Sequence, residues 1–356
     1  MPPSPGRRVR TTMIAACAAA GAAGLGMACV ASPWPAALLI RGVFYRGARQ
    51  LAARMALEAP EVTGHRGLKY QDDGGTRRLD IYLPPERSGP VPVVFWIHGG
   101  AWISGSRRDV APYLRMLAAQ GSAAVGVDYS VAPGTRYPGA LHQLSAALRY
   151  LQHNADRYGL DAGRIVLAGD SAGAQLAAQF AAAVTSPEYA AALGLTPSLP
   201  PEQLRGVVLH CGVYDLAALS GLTGILGWGF RTALWSYTGT RRFAETAAAQ
   251  QMSVLTAATS GFPPAFICGG NGDGLTAQQS EPFADRLEAL GVPVTRRFWP
   301  AGHSPALPHE AQFQFPRPEA FEVLEETQKF LTDVFAADTG VEETAQHPTV
   351  PPAPAS

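Results

Sequence analysis

The sequence predicts an α/β fold in which helices cover both faces of a mainly parallel sheet. With 47% hydrophobic and only 16% charged residues, the 356-residue chain can bury a large core. Segments of helical spacing alternate with segments of strand length, as in chains that form parallel sheets. The predicted strands are residues 78–83, 91–98, 123–129, 164–168, 206–210, 265–270 and 294–298. The predicted helices between and after them are residues 110–119 and 138–158, an alanine-rich stretch ending at 184, and residues 318–335.

Residues 1–34 predict a secretory signal or a membrane anchor. Arg7, Arg8 and Arg10 precede an apolar run rich in alanine and glycine at residues 13–31. This run is also just long enough to span a bilayer. We therefore expect a protein that is exported or membrane-anchored, that faces the extracytoplasmic side, and that associates with a membrane through this segment.

Residues 35–59 predict an amphipathic helix or linker. Apolar residues are interleaved at helical spacing with Arg41, Arg46, Arg49 and Arg54. A basic helix of this kind either lies on an anionic membrane surface or packs on the body of the domain. The sequence leaves both interpretations open.

The main domain is predicted at residues 60–336. Residues 91–98 are continuously apolar, which is typical of a strand buried on both faces. Residues 216–262 interrupt the strand–helix rhythm and are rich in Gly, Trp and Phe. We expect them to form a lid or pocket wall at the carboxyl ends of the strands, where ligands bind in open α/β sheets. Residues 337–356 include few apolar side chains, which predicts a disordered tail.

Charge and cysteine content exclude several classes of function. Lys plus Arg and Asp plus Glu both number 28, so the formal net charge is zero and no nucleic-acid partner is expected. The four cysteines show neither CxxC pairing nor the spacing of metal ligands. We therefore expect no disulfide framework, no metal site and no cofactor.

The segment GDSAG at residues 169–173 is a G-x-S-x-G pattern between a predicted strand and a predicted helix. Gly169 and Gly173 allow the strand to turn sharply into the helix, which lifts the Ser171 hydroxyl above the sheet edge. The pattern alone is common in sequences. Its strand–turn–helix context makes Ser171 the candidate nucleophile.

A serine nucleophile needs a histidine base and an acid that orients the base. Where the serine lies at such a strand–turn–helix junction, the acid (Asp or Glu) comes after it in the chain and the histidine comes after the acid. Asp273 follows the strand at 265–270, so it is predicted on the same sheet rim as Ser171. Asp215 is the competing acid, but its position favours a role at the start of the lid.

The candidate base is His303, which lies in the loop beyond the carboxyl end of the last predicted strand. His309 competes with it but lies farther from the strand end and behind Pro308. We therefore assign the base to His303.

Acyl transfer also requires donors for an oxyanion. HGGAW at residues 98–102 follows a buried strand, and its glycines allow backbone N–H groups to face the pocket. The N–H of Ala172, one residue after the nucleophile, completes the predicted oxyanion hole. His98 and Asp170 are expected to have structural roles.

The sequence resembles the hormone-sensitive-lipase-like (α/β-hydrolase fold-3) esterases in five motifs: HGGAW at 98–102, DYSVAP at 128–133, GDSAG at 169–173, GNGD at 270–273 and AGH at 301–303. HGGAW in place of HGGG is similar to the branch that contains feruloyl-esterase-like, kynurenine-formamidase-like and prenylcysteine-methylesterase-like enzymes. The resemblance covers about residues 79–335 and does not extend to the N-terminal segment.

The resemblance implies an α/β-hydrolase fold and a cofactor-free carboxylic-ester hydrolase that forms an acyl-enzyme. Its implied site residues are Ser171 as nucleophile, His303 as base, Asp273 as orienting acid, and the N–H groups of Gly100, Ala101 and Ala172 as the oxyanion hole. The aromatic lid favours small-molecule esters with apolar acyl or aryl groups. Two alternatives stay open: an amidase or peptidase with the same triad, and a catalytically silent membrane-associated scaffold.

Overall fold

A computed structural model describes residues 30–71 and 77–337 of the chain. Nearly all of the signal or anchor segment predicted at residues 1–34, and nearly all of the tail predicted at 337–356, lie outside the described residues. Among the residues that are described, no helix has both the length and the apolar character needed to cross a bilayer.

The described strands form one sheet in the order β1-β2-β4-β3-β5-β6-β7-β8. Pairing is antiparallel between β1 and β2 and between β2 and β4, and parallel at every other pair. The strands are β1 (Gly64–Lys69), β2 (Arg78–Tyr82), β3 (Val91–Ile97), β4 (Ala123–Val127), β5 (Leu160–Asp170), β6 (Leu204–His210), β7 (Ala265–Gly269) and β8 (Val294–Phe298).

Helices connect these strands and precede β1. Short 3-10 or π turns occur at Pro201–Gln203, Phe243–Glu245, Thr276–Ser280 and Ala311–Phe313. The α-helices are α1 (Trp34–Glu58), α2 (Ala111–Ala118), α3 (Gly139–His153), α4 (Ala155–Tyr158), α5 (Ala172–Thr185), α6 (Pro187–Ala192), α7 (Leu216–Leu219), α8 (Gly224–Thr238), α9 (Ala247–Met252), α10 (Val254–Ala257), α11 (Glu281–Ala289) and α12 (Pro318–Ala336).

The central strands are buried on both faces because a separate apolar core lies on each side of the sheet. Successive side chains of β3 alternate between the two: Phe95 and Ile97 join one core, and Val94 and Trp96 join the other. This double burial explains why β3 reads as a continuous apolar run. The predicted fold class, a mainly parallel sheet between helices, is confirmed.

Several elements were not anticipated in full from the sequence, among them an edge strand, a divided helix and α11. Strand β1 is largely exposed, carries Gly67 at positive φ, and pairs with β2 through a register shift, so it lacks the alternation that marks a strand. The helix predicted at residues 138–158 is divided at Asn154, which leaves helical geometry between α3 and α4. The sequence patterns also did not single out α11.

Helix α1 packs on the domain rather than serving only as a linker. Its inward side chains Ala37, Ile40 and Met55 are buried. Arg41 fastens the helix further, because its Nε donates to the Ile103 carbonyl (2.8 Å) and its Nη2 to the Ala132 carbonyl (2.9 Å). The helix therefore lies against the loops at the carboxyl ends of β3 and β4.

A buried arginine ties the loop after β3 to the antiparallel side of the sheet. The Nε of Arg107 lies 3.0 Å from Oδ1 of Asp80 on β2. Its Nη1 pairs with Oδ2 of Asp128, just beyond β4, and its backbone N–H donates to Oδ1 of Asp128 (2.8 Å). Arg107 and Asp80 are both buried, so each charge depends on its partners.

Replacing Arg107 with Met is expected to lower the free energy of unfolding by about 3–5 kcal/mol, because two carboxylates then lose a buried counter-charge. Chemical denaturation followed by circular dichroism measures this loss. The neighbouring Arg108 is exposed, so Arg108→Met is the matched control and should change stability by less than about 0.5 kcal/mol. Equal losses in the two variants would contradict the role given to Arg107.

Candidate active site

Ser171 lies at the sharp turn between β5 and α5. Its backbone has φ 50° and ψ −118°, a conformation that residues with a side chain rarely adopt. The Ser171 N–H donates to the His210 carbonyl (2.8 Å), which fixes the turn to the neighbouring strand β6.

The two glycines of GDSAG are required by close packing. A Cβ on Gly173 would lie less than 3.0 Å from the carbonyl oxygens of both Ile97 and His98. A Cβ on Gly169 would meet the backbone of Gly173 at less than 3.0 Å. The first turn of α5 therefore rests directly on the end of β3, which brings Ser171 next to the loop that follows β3.

His309 joins Ser171 to Asp273. Its Nε2 lies 3.0 Å from Ser171 Oγ, and its Nδ1 lies 2.7 Å from Asp273 Oδ2. The other oxygen of Asp273 accepts a hydrogen bond from the Leu275 N–H (2.9 Å), and the Asp273 side chain is buried. The result is a hydrogen-bonded chain from hydroxyl to imidazole to carboxylate.

The structure contradicts the assignment of the base to His303. Nε2 of His303 lies 2.9 Å from Oε1 of Glu319, in the first turn of α12, and makes no hydrogen bond to Ser171 or Asp273. The His303 N–H donates to the Pro300 carbonyl (2.9 Å), which closes a tight turn directly after β8. The prediction of His303 as the base, which was based on its proximity to the strand end, is therefore wrong.

The loop after β8 folds back onto the turn that carries Asp273. Asn271 binds both halves of this loop: its Nδ2 donates to the His303 carbonyl (2.9 Å), and its Oδ1 accepts from the Leu307 N–H (2.9 Å). The Gly272 N–H donates to the Leu307 carbonyl (2.9 Å). Since Leu307 is held there, the residue two positions beyond it, His309, reaches Asp273.

This back-folding depends on glycine, because a Cβ on Gly270 would lie less than 3.0 Å from the Leu307 carbonyl oxygen. The sequence does contain a signal for it: Leu307 is a large apolar residue in a polar, proline-rich loop, and it is fully buried. An anchor two residues before His309 favours that histidine over His303.

The competing acid, Asp215, is used elsewhere. Its Oδ1 accepts hydrogen bonds from the N–H groups of Ala217 (2.9 Å) and Ala218 (3.4 Å), so it caps α7. This position agrees with the role expected for it at the start of residues 216–262.

Asp170 connects the nucleophile turn to the loop after β3. Its Oδ2 accepts from the Gly99 N–H (2.8 Å) and its Oδ1 from Trp96 Nε1 (2.8 Å). Burial, together with the nearby Glu310 carboxyl, raises the pKa of Asp170 to about 8. The side chain thus supports the backbone beside Ser171, in agreement with the structural role expected for it.

The loop HGGAW is held in an unusual conformation. Gly100, Ala101 and Trp102 all have positive φ. The Gly100 carbonyl accepts hydrogen bonds from the N–H groups of Ile103 (3.1 Å) and Ser104 (2.9 Å), which closes the loop. In the described part of the chain, no hydrogen bond uses the N–H groups of Gly100, Ala101 or Ala172. The three predicted oxyanion donors are therefore free to bind a ligand.

His98 supports this loop from below. Its ring stacks on Tyr129 with 4.4 Å between ring centroids, and the Tyr129 hydroxyl donates to the His98 carbonyl (3.0 Å). Burial lowers the pKa of His98, so the ring stays neutral. These contacts join the DYSVAP segment to HGGAW and agree with a structural role for His98.

Comparison with known proteins identifies the family. A family profile described as BD-FAE matches residues 79–287, well over half of the chain. The chain belongs to the BD-FAE family. The matched region includes Ser171 and Asp273 but ends before His309, so the family match does not itself choose between the two histidines.

Individual relatives agree with this family. Esterase LipC of Mycobacterium tuberculosis is 34% identical over 163 residues, which are 45% of this chain and 39% of LipC. Carboxylesterase NlhH of the same species is 33% identical over 226 residues, 60% of this chain and 66% of NlhH. The matches thus span less than two thirds of these curated relatives.

Among solved structures, Esterase B from Lactobacillus rhamnosis is similar over 84% of this chain and 95% of its own, with a TM-score of 0.72 and 26% identity. This similarity confirms the α/β-hydrolase fold that the motif resemblance implied.

In this BD-FAE chain a large cavity opens above Ser171, with a volume of about 1550 Å³. Its floor contains Ser171, His309 and residues 98–101 of the HGGAW loop, and its walls come from α1 and α8. The wall residues Ile225, Leu226, Trp228 and Phe230 lie on α8, within the segment expected to form a lid or pocket wall.

Two opposing effects set the pKa of His309. Burial opposes protonation of the ring, whereas the adjacent Cys211 and the hydrogen-bonded Asp273 favour it. The outcome is a raised pKa, well above the ordinary range of histidine. A base with a raised pKa accepts the Ser171 proton more readily than a free imidazole does.

Three side chains that could bind a metal lie close together in the site. Cys211, Asp273 and His309 place ligand atoms within 4.8 Å of one another, which is the one such group in the described residues. Both nitrogens of His309 are already used, one by Ser171 and one by Asp273. The geometry therefore fits a proton relay better than a metal site.

Ser171 should react with an organophosphonate, and His309→Ala should slow this labelling by a factor on the order of 10⁴ or more, because the hydroxyl loses its base. His303→Ala is the matched control and should label at nearly the wild-type rate. Intact-mass spectrometry over time measures both rates. A slow His303→Ala variant combined with a fast His309→Ala variant would restore the original assignment.

Proposed function

We propose that this protein is a serine carboxylic-ester hydrolase that acts through an acyl-enzyme at Ser171. The observation that carries the proposal is the hydrogen-bonded chain from Ser171 through His309 to Asp273, with distances of 3.0 Å and 2.7 Å. The same chain of groups activates serine nucleophiles on several unrelated folds.

In the first step, Ser171 Oγ attacks the ester carbonyl carbon while Nε2 of His309 takes the hydroxyl proton. The carboxylate of Asp273 stabilises the imidazolium that forms. The carbonyl oxygen becomes an oxyanion, which accepts hydrogen bonds from the N–H groups of Gly100, Ala101 and Ala172. Fixed donors of this kind stabilise the tetrahedral intermediate without reorganising.

In the second step, the tetrahedral intermediate collapses and the bond to the alcohol oxygen breaks. His309 gives its proton to that oxygen, so a neutral alcohol leaves and an acyl-Ser171 ester remains. Water then attacks this ester with His309 as the base, and the carboxylic acid and free Ser171 are released. The reaction needs no cofactor.

The relatives support this chemistry. LipC is named an esterase and NlhH a carboxylesterase. A structure of the similar Esterase B, 27% identical to this chain with a TM-score of 0.71, is described as inhibited by a tributyrin phosphonate. We infer the same class of substrate, a small-molecule ester, for this chain.

The cavity favours apolar acyl or aryl groups. The α8 residues that line it are apolar or aromatic, and α1 adds Leu39, Val43 and Phe44. The volume of about 1550 Å³ exceeds the roughly 300–1,000 Å³ of ordinary small-molecule sites. The cavity therefore has room for a long or bulky ester.

Hydrolysis of p-nitrophenyl esters of increasing acyl length tests this proposal. We expect kcat/KM to rise about two- to fourfold per added methylene until the apolar walls are filled, and Ser171→Ala to abolish hydrolysis of all of them. A matched anilide should react more slowly than its ester. A faster anilide would favour an amidase, and activity that survives in Ser171→Ala would refute the mechanism.

The pH dependence of kcat/KM should report the pKa of His309. Protonated His309 cannot accept the serine proton, so activity falls as the pH drops through this pKa. Because that pKa is raised, the midpoint should lie above about 6.5, the value of free histidine.

Asp273→Asn tests the cause of the raised pKa. Removing the carboxylate should move the midpoint to lower pH and reduce kcat by about 10⁴-fold. Stopped-flow or initial-rate measurements on a soluble acetate ester give both quantities. A midpoint unchanged in Asp273→Asn would show that Asp273 does not set the pKa of His309.

A further inference from the structure

Exposed apolar side chains are concentrated on one side of the molecule. The described part of the chain has twelve exposed large apolar residues, of which eight lie in residues 30–57 and three more in 225–228. The remaining one, Phe321, is on α12. We call residues 30–57 together with 224–242 the α1–α8 face. Apolar area gathered in this way on the surface of a folded domain marks an interaction surface.

Helix α1 has apolar residues on both of its sides. The inward side uses Ala37, Ile40 and Met55, which are buried. Trp34 and Leu38 lie one turn apart and are 44% and 53% exposed. A helix that packs only on its own domain needs one apolar stripe. Since Trp34 and Leu38 stay about half exposed in the described structure, the packing of α1 on the domain does not explain them.

The same face is basic although the whole chain is neutral. Residues 30–57 contain four arginines and residues 224–242 contain three, and neither stretch contains Asp or Glu. Arg41 makes hydrogen bonds within the domain, whereas Arg46 is exposed to solvent. Arginines beside exposed Trp and Tyr side chains are the composition found where proteins contact the interface of an anionic bilayer.

The cavity opens through this face. Leu39, Val43, Ile225 and Trp228 are exposed to solvent and also line the cavity, so they lie at its opening. The opening is therefore bordered by apolar side chains of α1 on one side and of α8 on the other.

The residues that lead into α1 also lie at this face. Arg241 stacks over the Trp235 ring, 3.9 Å from its centroid, and donates to the carbonyl of Val30 (2.5 Å). The apolar run of the sequence at residues 13–31 leads directly into this point. Any attachment made by that run would therefore hold the α1–α8 face near the same membrane.

We propose that the α1–α8 face docks on an anionic phospholipid bilayer, with the cavity opening towards the lipid. Exposed apolar side chains enter the interface, and arginines bind the lipid phosphates. Docking does not depend on the reaction. A further consequence rests on the proposed ester hydrolase function: apolar esters dissolved in the bilayer enter the cavity without crossing water.

Sedimentation of the full chain with vesicles tests the docking. One set of vesicles is pure phosphatidylcholine, and the other contains equal parts of phosphatidylcholine and phosphatidylglycerol. Wild type should bind the anionic vesicles more tightly. Trp34→Ser combined with Leu38→Ser should weaken this binding about tenfold, and Arg46→Gln about fivefold.

Phe321→Ser is the matched control, since it removes an exposed large apolar residue outside the face and should change binding by less than about twofold. Hydrolysis of soluble p-nitrophenyl acetate should be the same in all variants, which shows that they are folded. A wild type that binds vesicles but hydrolyses no ester would support docking while refuting the proposed function.

Two results would overturn the proposal. Unchanged vesicle binding by the Trp34→Ser and Leu38→Ser double variant would assign attachment to residues 13–31 alone. The second result would come from light scattering without vesicles. If the wild type is dimeric and the double variant is monomeric, a second copy of the chain covers the face.

Discussion

The geometry of the site depends on the contact between the first turn of α5 and the end of β3. Gly173 lies so close to the carbonyls of Ile97 and His98 that no side chain fits between them. This contact holds Ser171 in its strained conformation and places the HGGAW loop beside it. Asp170 then binds the Gly99 N–H, so nucleophile and oxyanion donors are fixed by one small set of backbone contacts.

Each functional group is held by a loop that follows a parallel strand, and each loop is attached to its neighbour. The loop after β3 is supported by Tyr129 beyond β4 and by the ion pairs of Arg107. The loop after β8 is attached to Asn271 beyond β7. Preorganisation of this kind lets the proposed oxyanion donors act without rearranging, which is the main advantage of a rigid sheet edge.

The cap of the cavity joins two parts of the chain that lie far apart in sequence. Helix α1 precedes the sheet and α8 is inserted between β6 and β7, yet both line the same opening. Residues 30–57 and 224–242 contain no Asp or Glu, a local bias that the overall charge of zero hides. The arginines and exposed apolar side chains of the two helices form one surface only because the fold brings the helices together. This is the surface that we propose docks on the bilayer.

The sequence by itself determined the fold class, the core strands and the position of Ser171, because these follow from local patterns: apolar runs, and glycines on both sides of a serine between strand and helix. It also indicated Asp273, which lies directly after a strand. The tertiary structure decided between His303 and His309. That choice depends on how a long loop folds back onto Asn271 and Gly272, a contact between residues more than thirty positions apart. The sequence marks this contact only by the apolar Leu307, which does not show where the loop will be bound. The packing of α1 over the cavity, and the exposed edge strand β1, were decided in the same way by long-range contacts.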